Sequence, residues 1–137
     1  MKLLFLSVNA SWTHSCLALY YLRNAIKDLD YQSEIIEITL KETISTALDT
    51  IITSQPDVLC LSVYIWNVEY LKKLVPEIRK LLPNLIIVTG GPEVSYNPQT
   101  ADALKPDYLI KGYGESAFRH LAENRFSSLD KDIQGIP

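Results

Sequence analysis

The side chains able to do chemistry gather in four short stretches, each directly after an apolar run. The first is Asn9-Ala10-Ser11-Trp12-Thr13-His14, where Asn9, Ser11 and Thr13 can hydrogen-bond beside an indole and an imidazole. The second runs from Ser62 through Tyr64 and Trp66 to Asn67, and the third opens with Gly90, Gly91, Pro92 and Glu93. The fourth is Gly112-Tyr113-Gly114-Glu115. Together these residues suit holding a ligand better than breaking a bond. Glycines after a strand let a ligand approach the backbone, because no Cβ stands in the way. Trp12, Tyr64 and Trp66 offer flat apolar surface to a flat partner. Each residue also has a plainer use. Thr13 or Ser15 can cap the next helix, a glycine pair can serve a tight turn, and Glu115 suits a helix N-terminus.

Several chemistries are excluded. His14 and His120 are the only imidazoles, and neither stands with a nucleophile in a recognisable pairing. Cys16 and Cys60 lack metal-ligand spacing and imply no disulfide framework, so no metal site is expected and a reducing, cytoplasmic setting is the default. No GxGxxG follows the first apolar run, and no GxxxxGK[ST] occurs. The first loop has no acidic pair and the third strand does not end in Asp, which argues against a phospho-acceptor receiver. A net charge of −3 without a run of Lys and Arg argues against nucleic acid. Met1–Val8 is apolar but too short to span a membrane.

The elements that must position these loops follow from periodicity. The 137 residues, 47% hydrophobic and 21% charged, suit one domain with a real core. Lys2–Val8, Ser33–Ile38, Asp57–Ser62, Leu85–Thr89 and Asp107–Lys111 read as five buried strands. Between them, helical stripes cover Ser15–Leu29, Lys41–Ser54, Asn67–Leu82 and Pro98–Leu104, and Glu115–Asn124 follows the last strand. Asn67 is the expected cap of its helix, and Pro76 is expected to kink it. Pro56, Pro83 and Pro106, each followed by Asp or Asn, punctuate helix-to-strand turns. The alternation predicts an α/β, flavodoxin-like (Rossmann-like), doubly wound parallel sheet in the order 2-1-3-4-5. In such sheets ligands bind outside the carboxyl ends, at the switch between the first and third strands. All four loops lie on that edge.

With these residues placed, the chain resembles the cobalamin-binding domain at the N-terminus of many radical S-adenosylmethionine enzymes. The likeness rests on Ser62, on Val88-Thr89-Gly90-Gly91-Pro92-Glu93, and on Asp107-Tyr108-Leu109-Ile110-Lys111-Gly112-Tyr113-Gly114-Glu115. The resemblance implies a corrin over the carboxyl edge and a nucleotide tail running between the first and third strands. Ser62, Gly90 and Gly91 would line the tail channel, and Trp12, Tyr64 and Trp66 would meet the corrin. The Asp-x-His-x-x-Gly that supplies a lower cobalt ligand in methionine-synthase-type domains is absent, so no such ligand is expected from His14. In the Ser-x-Leu-x-Thr loop only Ser62 matches.

The resemblance further implies a binding module, not a catalyst. No CxxxCxxC occurs, so a [4Fe-4S] cluster and S-adenosylmethionine are expected in a further domain in cis. Residues 1–124 are then the cobalamin domain and 125–137 a linker. The full enzyme would transfer a methyl group or carry out a radical oxidation, as methyltransferases and the anaerobic oxidative cyclase of bacteriochlorophyll synthesis do. The alternative is a degenerate domain of the same fold that binds no cofactor and packs or forms a homodimer through Trp12, Tyr64 and Trp66.

Overall fold

The computed structural model describes residues 1–11, 16–112, 114–128 and 130–134. Strands β1 (Lys2–Asn9), β2 (Gln32–Thr39), β3 (Val58–Ser62), β4 (Ile86–Gly90), β5 (Tyr108–Lys111) and β6 (Asp132–Gln134) form one sheet. Its order is β2-β1-β3-β4-β5-β6 and every pairing is parallel. The expected order is therefore present, extended by one edge strand. That strand falls in the stretch read as a linker. Tyr108 helps hold it there: its hydroxyl donates toward the carbonyls of Phe126 and Ser128, and so ties the chain after the last helix to β5. Three residues of mixed polarity carry too little pattern to reveal such a strand.

Helices α1 (Leu17–Ala25), α2 (Ile44–Ser54), α3 (Val68–Leu81), α4 (Pro92–Tyr96), α5 (Pro98–Leu104) and α6 (Glu115–Glu123) connect and cover the strands. Strand side chains alternate between two apolar layers. Leu4, Leu6, Leu59, Leu61 and Ile87 pack on α2, α3 and α5. Leu3, Phe5, Cys60, Val88 and Ile110 pack on α1 and α6. Both faces are thus covered, which is why the strands read as continuous apolar runs.

The ends of the elements have local causes. Thr43 caps α2 by accepting from the Thr46 amide at 3.1 Å. The starts of strands are pinned by acids: Asp57 accepts from the Lys2 amide at 2.7 Å. Asp107 accepts from Arg79 at 2.9 Å and from the Ile87 amide at 2.8 Å. Pro76 lies within a continuous α3. Helix α4 lies in the third loop, between the fourth strand and the helix expected at Pro98–Leu104. It starts at Pro92, where a fixed φ suits the first helical position.

Candidate functional site

A cavity of about 330 Å³ opens at the carboxyl edge of β3, β4 and β5. Ala18, Leu19 and Leu22 of α1 form one wall, and Cys60, Val88 and Ile110 of the sheet form the floor. Ser62, Tyr64 and the Gly90–Pro92 turn line it on one side, and Ser95, Tyr96, Gly112, Gly114 and Glu115 on another. The volume sits at the lower end of the roughly 300–1,000 Å³ usual for small-molecule sites.

Glycine keeps this space open. Gly91 has φ of 103°, and a Cβ there would lie 2.7 Å from the Val63 carbonyl oxygen and 3.1 Å from Ser62 Oγ. A Cβ at Gly90 would meet only Ile110, at 3.5 Å and beyond, so its absence leaves cavity and not merely turn geometry. At Gly114 a Cβ would press on Ile110 Cγ2 at 3.0 Å. The Gly112 amide donates to Ser95 Oγ at 3.1 Å and ties the fourth loop to α4.

Polar groups sit toward the mouth. The Tyr64 hydroxyl lies 3.7 Å from Cys16 Sγ, and the Tyr64 ring stacks on Trp66 with centroids 4.3 Å apart. Burial pushes the Tyr64 phenol up, opposed by a hydrogen bond from Ser62. Burial also pushes the Cys60 thiol well up, so it stays protonated on the cavity floor. Glu115 is the only charged side chain among the described lining residues.

The cavity is displaced from the expected place. No described β1 residue lines it, because the gap between the ends of β1 and β3 is stitched shut by Asn67. The buried Asn67 carboxamide donates to the carbonyls of Val8 and Ser62, each at 3.1 Å. It also accepts from the Tyr64 amide at 2.8 Å. Asn67 makes no side-chain cap to α3, so the expected capping role is replaced by this bridge. Asn9 is buried and engaged with Ser7 and Glu37, away from the cavity.

Of the residues singled out in the sequence, Ser62, Tyr64, Gly90, Gly91, Pro92, Gly112, Gly114 and Glu115 come together around the cavity. Glu93 turns instead to Asn97 and Thr100 at 3.2 Å, bracing α4 against α5. Trp66 is half-exposed at the rim. Ser11 is partly exposed, while Trp12, Thr13, His14 and the capping role of Thr13 or Ser15 lie outside the described residues. Sequence reasoning missed the α1 wall and the sheet floor. Their side chains follow ordinary core periodicity, and nothing in that pattern separates a cavity wall from a packed core.

A doubly wound parallel sheet with an apolar, glycine-edged slot at its carboxyl ends, and no Lys or Arg in the described lining of that slot, defines an α/β domain of the class that takes ligands at this edge. A sequence model described as B12 binding domain matches residues 4–122, and the chain belongs to that family. It is 40% identical over 85 residues to the cobalamin-dependent radical SAM methyltransferase TokK of Streptomyces tokunonensis, covering 61% of this chain and 12% of the relative. It is 38% identical over 76 residues to the 2-(S-pantetheinyl)-carbapenam-3-carboxylate methyltransferase of Streptantibioticus cattleyicolor, covering 54% and 11%. The chain thus spans only about an eighth of these relatives. Among solved structures, the radical S-adenosylmethionine methyltransferase TsrM of Kitasatospora setae, with cobalamin and a [4Fe-4S] cluster bound, superposes with TM-score 0.77 at 22% identity, covering 93% of this chain and 27% of that one. The cobalamin-dependent radical enzyme OxsB, bound to aqua-cobalamin and S-adenosylmethionine, matches with TM-score 0.77 at 19% identity, covering 94% and 19%. These likenesses show the shared fold.

Proposed function

We propose that this chain binds cobalamin, with the nucleotide tail in the cavity under α1 and the corrin over the carboxyl edge. The observation that carries the reading is the open slot edged by Ser62, Gly90 and Gly91. A corrin is far larger than the cavity, whereas a slender tail ending in a flat base suits it. The absence of Lys and Arg from the described lining disfavours nucleoside di- and triphosphates, whose charge would go unmatched. A cobalamin tail carries a single phosphodiester charge and can leave it at the solvent-facing mouth. Tyr64 and Trp66, stacked on each other, occupy the rim and do not fill the slot. That supports a binding domain over a degenerate one.

The relatives support a place for this module in a larger cobalamin-dependent radical S-adenosylmethionine enzyme. In that enzyme the [4Fe-4S] cluster and S-adenosylmethionine belong to a domain in cis, and methyl transfer is the favoured reaction class. Cobalamin supplies a cobalt centre able to carry a methyl group; this chain's own residues hold the cofactor and shield its tail. No helix among the described residues is long and apolar enough to cross a membrane.

The test mixes the purified chain with hydroxocobalamin and follows corrin absorbance through gel filtration. Absorbance co-eluting with protein is expected. Corrin eluting wholly with the salt, with protein correctly folded by circular dichroism, overturns the proposal.

A further inference from the structure

The cavity has a marked polarity gradient. Its inner surface is formed by the side chains of Leu19, Leu22, Cys60, Val88 and Ile110, all but Leu22 less than a tenth exposed. The thiol of Cys60 is the only side-chain heteroatom among these five, and it is a weak hydrogen-bonding group. Leu61 and Thr89, which also line the cavity, alternate with Cys60 and Val88 along β3 and β4, a strand position that turns their side chains to the opposite layer. The stronger polar groups stand nearer the mouth, at the carboxyl ends of the strands: Ser62, Tyr64, whose hydroxyl lies 3.7 Å from Cys16 Sγ, and Ser95, whose Oγ already accepts from the Gly112 amide. The strand amides and carbonyls beneath the floor are taken up by the parallel ladders of β3, β4 and β5. A base entering this slot therefore meets apolar surface and finds few partners for polar edges.

Cobamides differ in that base. Benzimidazoles present hydrocarbon edges and one ring nitrogen once detached from cobalt. Phenolic bases present hydrocarbon alone. Adenine carries an exocyclic amine and further ring nitrogens, and burying these unpaired is costly. We infer that the slot under α1 selects cobamides by their lower base, accepting benzimidazole and phenolic tails and rejecting purine tails. The inference rests on the cobalamin reading above and adds to it the class of cobamide bound. Val88, buried in the centre of the floor, is the residue through which the selection is most directly altered.

The experiment measures affinities of the 137-residue chain by equilibrium dialysis for three probes: hydroxocobalamin, p-cresolylcobamide and adeninylcobamide. The first two are expected to bind within about threefold of each other, because neither asks the slot for a hydrogen bond that it lacks. Adeninylcobamide is expected to bind at least about tenfold more weakly. The nearly isosteric Val88→Thr variant places a hydroxyl on the floor. It is expected to narrow the cobalamin-to-adeninylcobamide ratio by about threefold or more, with the far-ultraviolet spectrum of the parent. Adeninylcobamide binding as tightly as cobalamin overturns the selection while leaving the cobalamin reading intact. So does p-cresolylcobamide binding much more weakly than both, since the base would then not be held by apolar contact. Failure of all three probes to bind overturns the cobalamin reading and this inference with it.

Discussion

Gly91 and its neighbour Gly90 allow stability and ligand binding to be separated by two single-methyl changes. At Gly91 an added Cβ meets the Val63 carbonyl oxygen at 2.7 Å and the Val63 nitrogen at 2.9 Å, both backbone atoms that cannot rotate away. The Val63 amide is fixed on the Gly90 carbonyl at 2.7 Å, and the Glu93 amide on the Val63 carbonyl at 3.2 Å, so the turn resists relaxation. A φ of 103° adds strain for any side chain. Strain of about 1–3 kcal/mol plus overpacking of about 1–3 kcal/mol gives roughly 3 kcal/mol for Gly91→Ala. For a domain of this size that lowers Tm by about 10 °C. At Gly90 the added Cβ finds its nearest neighbour at 3.5 Å, which is ordinary contact. Gly90→Ala is expected to keep stability within about 1 kcal/mol of the parent, since gly-to-ala changes at compatible sites are neutral or mildly stabilising. Its methyl group projects into the slot and is expected to weaken cobalamin retention several-fold. Urea unfolding and hydroxocobalamin dialysis on both variants decide the matter. A Gly91→Ala protein within 1 kcal/mol of the parent refutes the steric argument. A Gly90→Ala protein with unchanged affinity refutes the placement of the tail against β4.

Three further outcomes follow from other parts of the fold. Asn67→Ala removes the bridge between β1 and β3 and strands the Val8 and Ser62 carbonyls and the Tyr64 amide, so chemical denaturation should show a loss of about 2 kcal/mol or more. Thr89→Val should be neutral or stabilising by up to about 2 kcal/mol. The Thr89 hydroxyl is fully buried with no partner among the described residues, and its strand position, between Leu61 and Leu109, turns it to the layer under α3 and α5; a measured loss above 1 kcal/mol would contradict this. Arg119 grips the Asp28 carboxylate at 2.6 and 2.9 Å and the Ala25 carbonyl at 2.9 Å, clamping the end of α1, a cavity wall, to α6. The hydrogen bond to Arg119 holds Asp28 down at about 2. A depressed carboxylate stabilises the fold above its unfolded value, and that contribution disappears as pH falls toward about 2. Thermal melts between pH 5 and 2 should therefore fall more steeply for the parent than for Asp28→Asn, and parallel curves would remove the clamp from the account.

The alternation of apolar runs and helical stripes was enough for the layer architecture, because both faces of a parallel sheet must be covered; the order 2-1-3-4-5 followed as the commonest for five such strands, and the sixth, edge strand was not legible. The pattern was enough, too, for the edge on which a site must lie and for the Gly90-Gly91 and Gly112–Glu115 turns. Glycine after a strand is a local signal: it reports backbone conformation and close approach without reference to distant residues. Tertiary structure decided where along that edge the opening falls. Asn67 reads locally as a helix cap, yet its carboxamide reaches across to Val8 and closes the switch-point gap. That contact joins residues 59 apart in sequence and has no periodic signature. Glu93 likewise reads as a ligand contact beside the glycine pair, but α4 turns it toward Thr100. The apolar wall of α1 and floor of β3–β5 were legible only as core. Whether such side chains meet each other or enclose a space depends on how far a helix stands off a sheet. Here the Ser62, Gly90 and Gly91 turn and the Gly112 tether keep the mouth open, so the polar edge visible in the sequence is the entrance to an apolar slot that only packing could create.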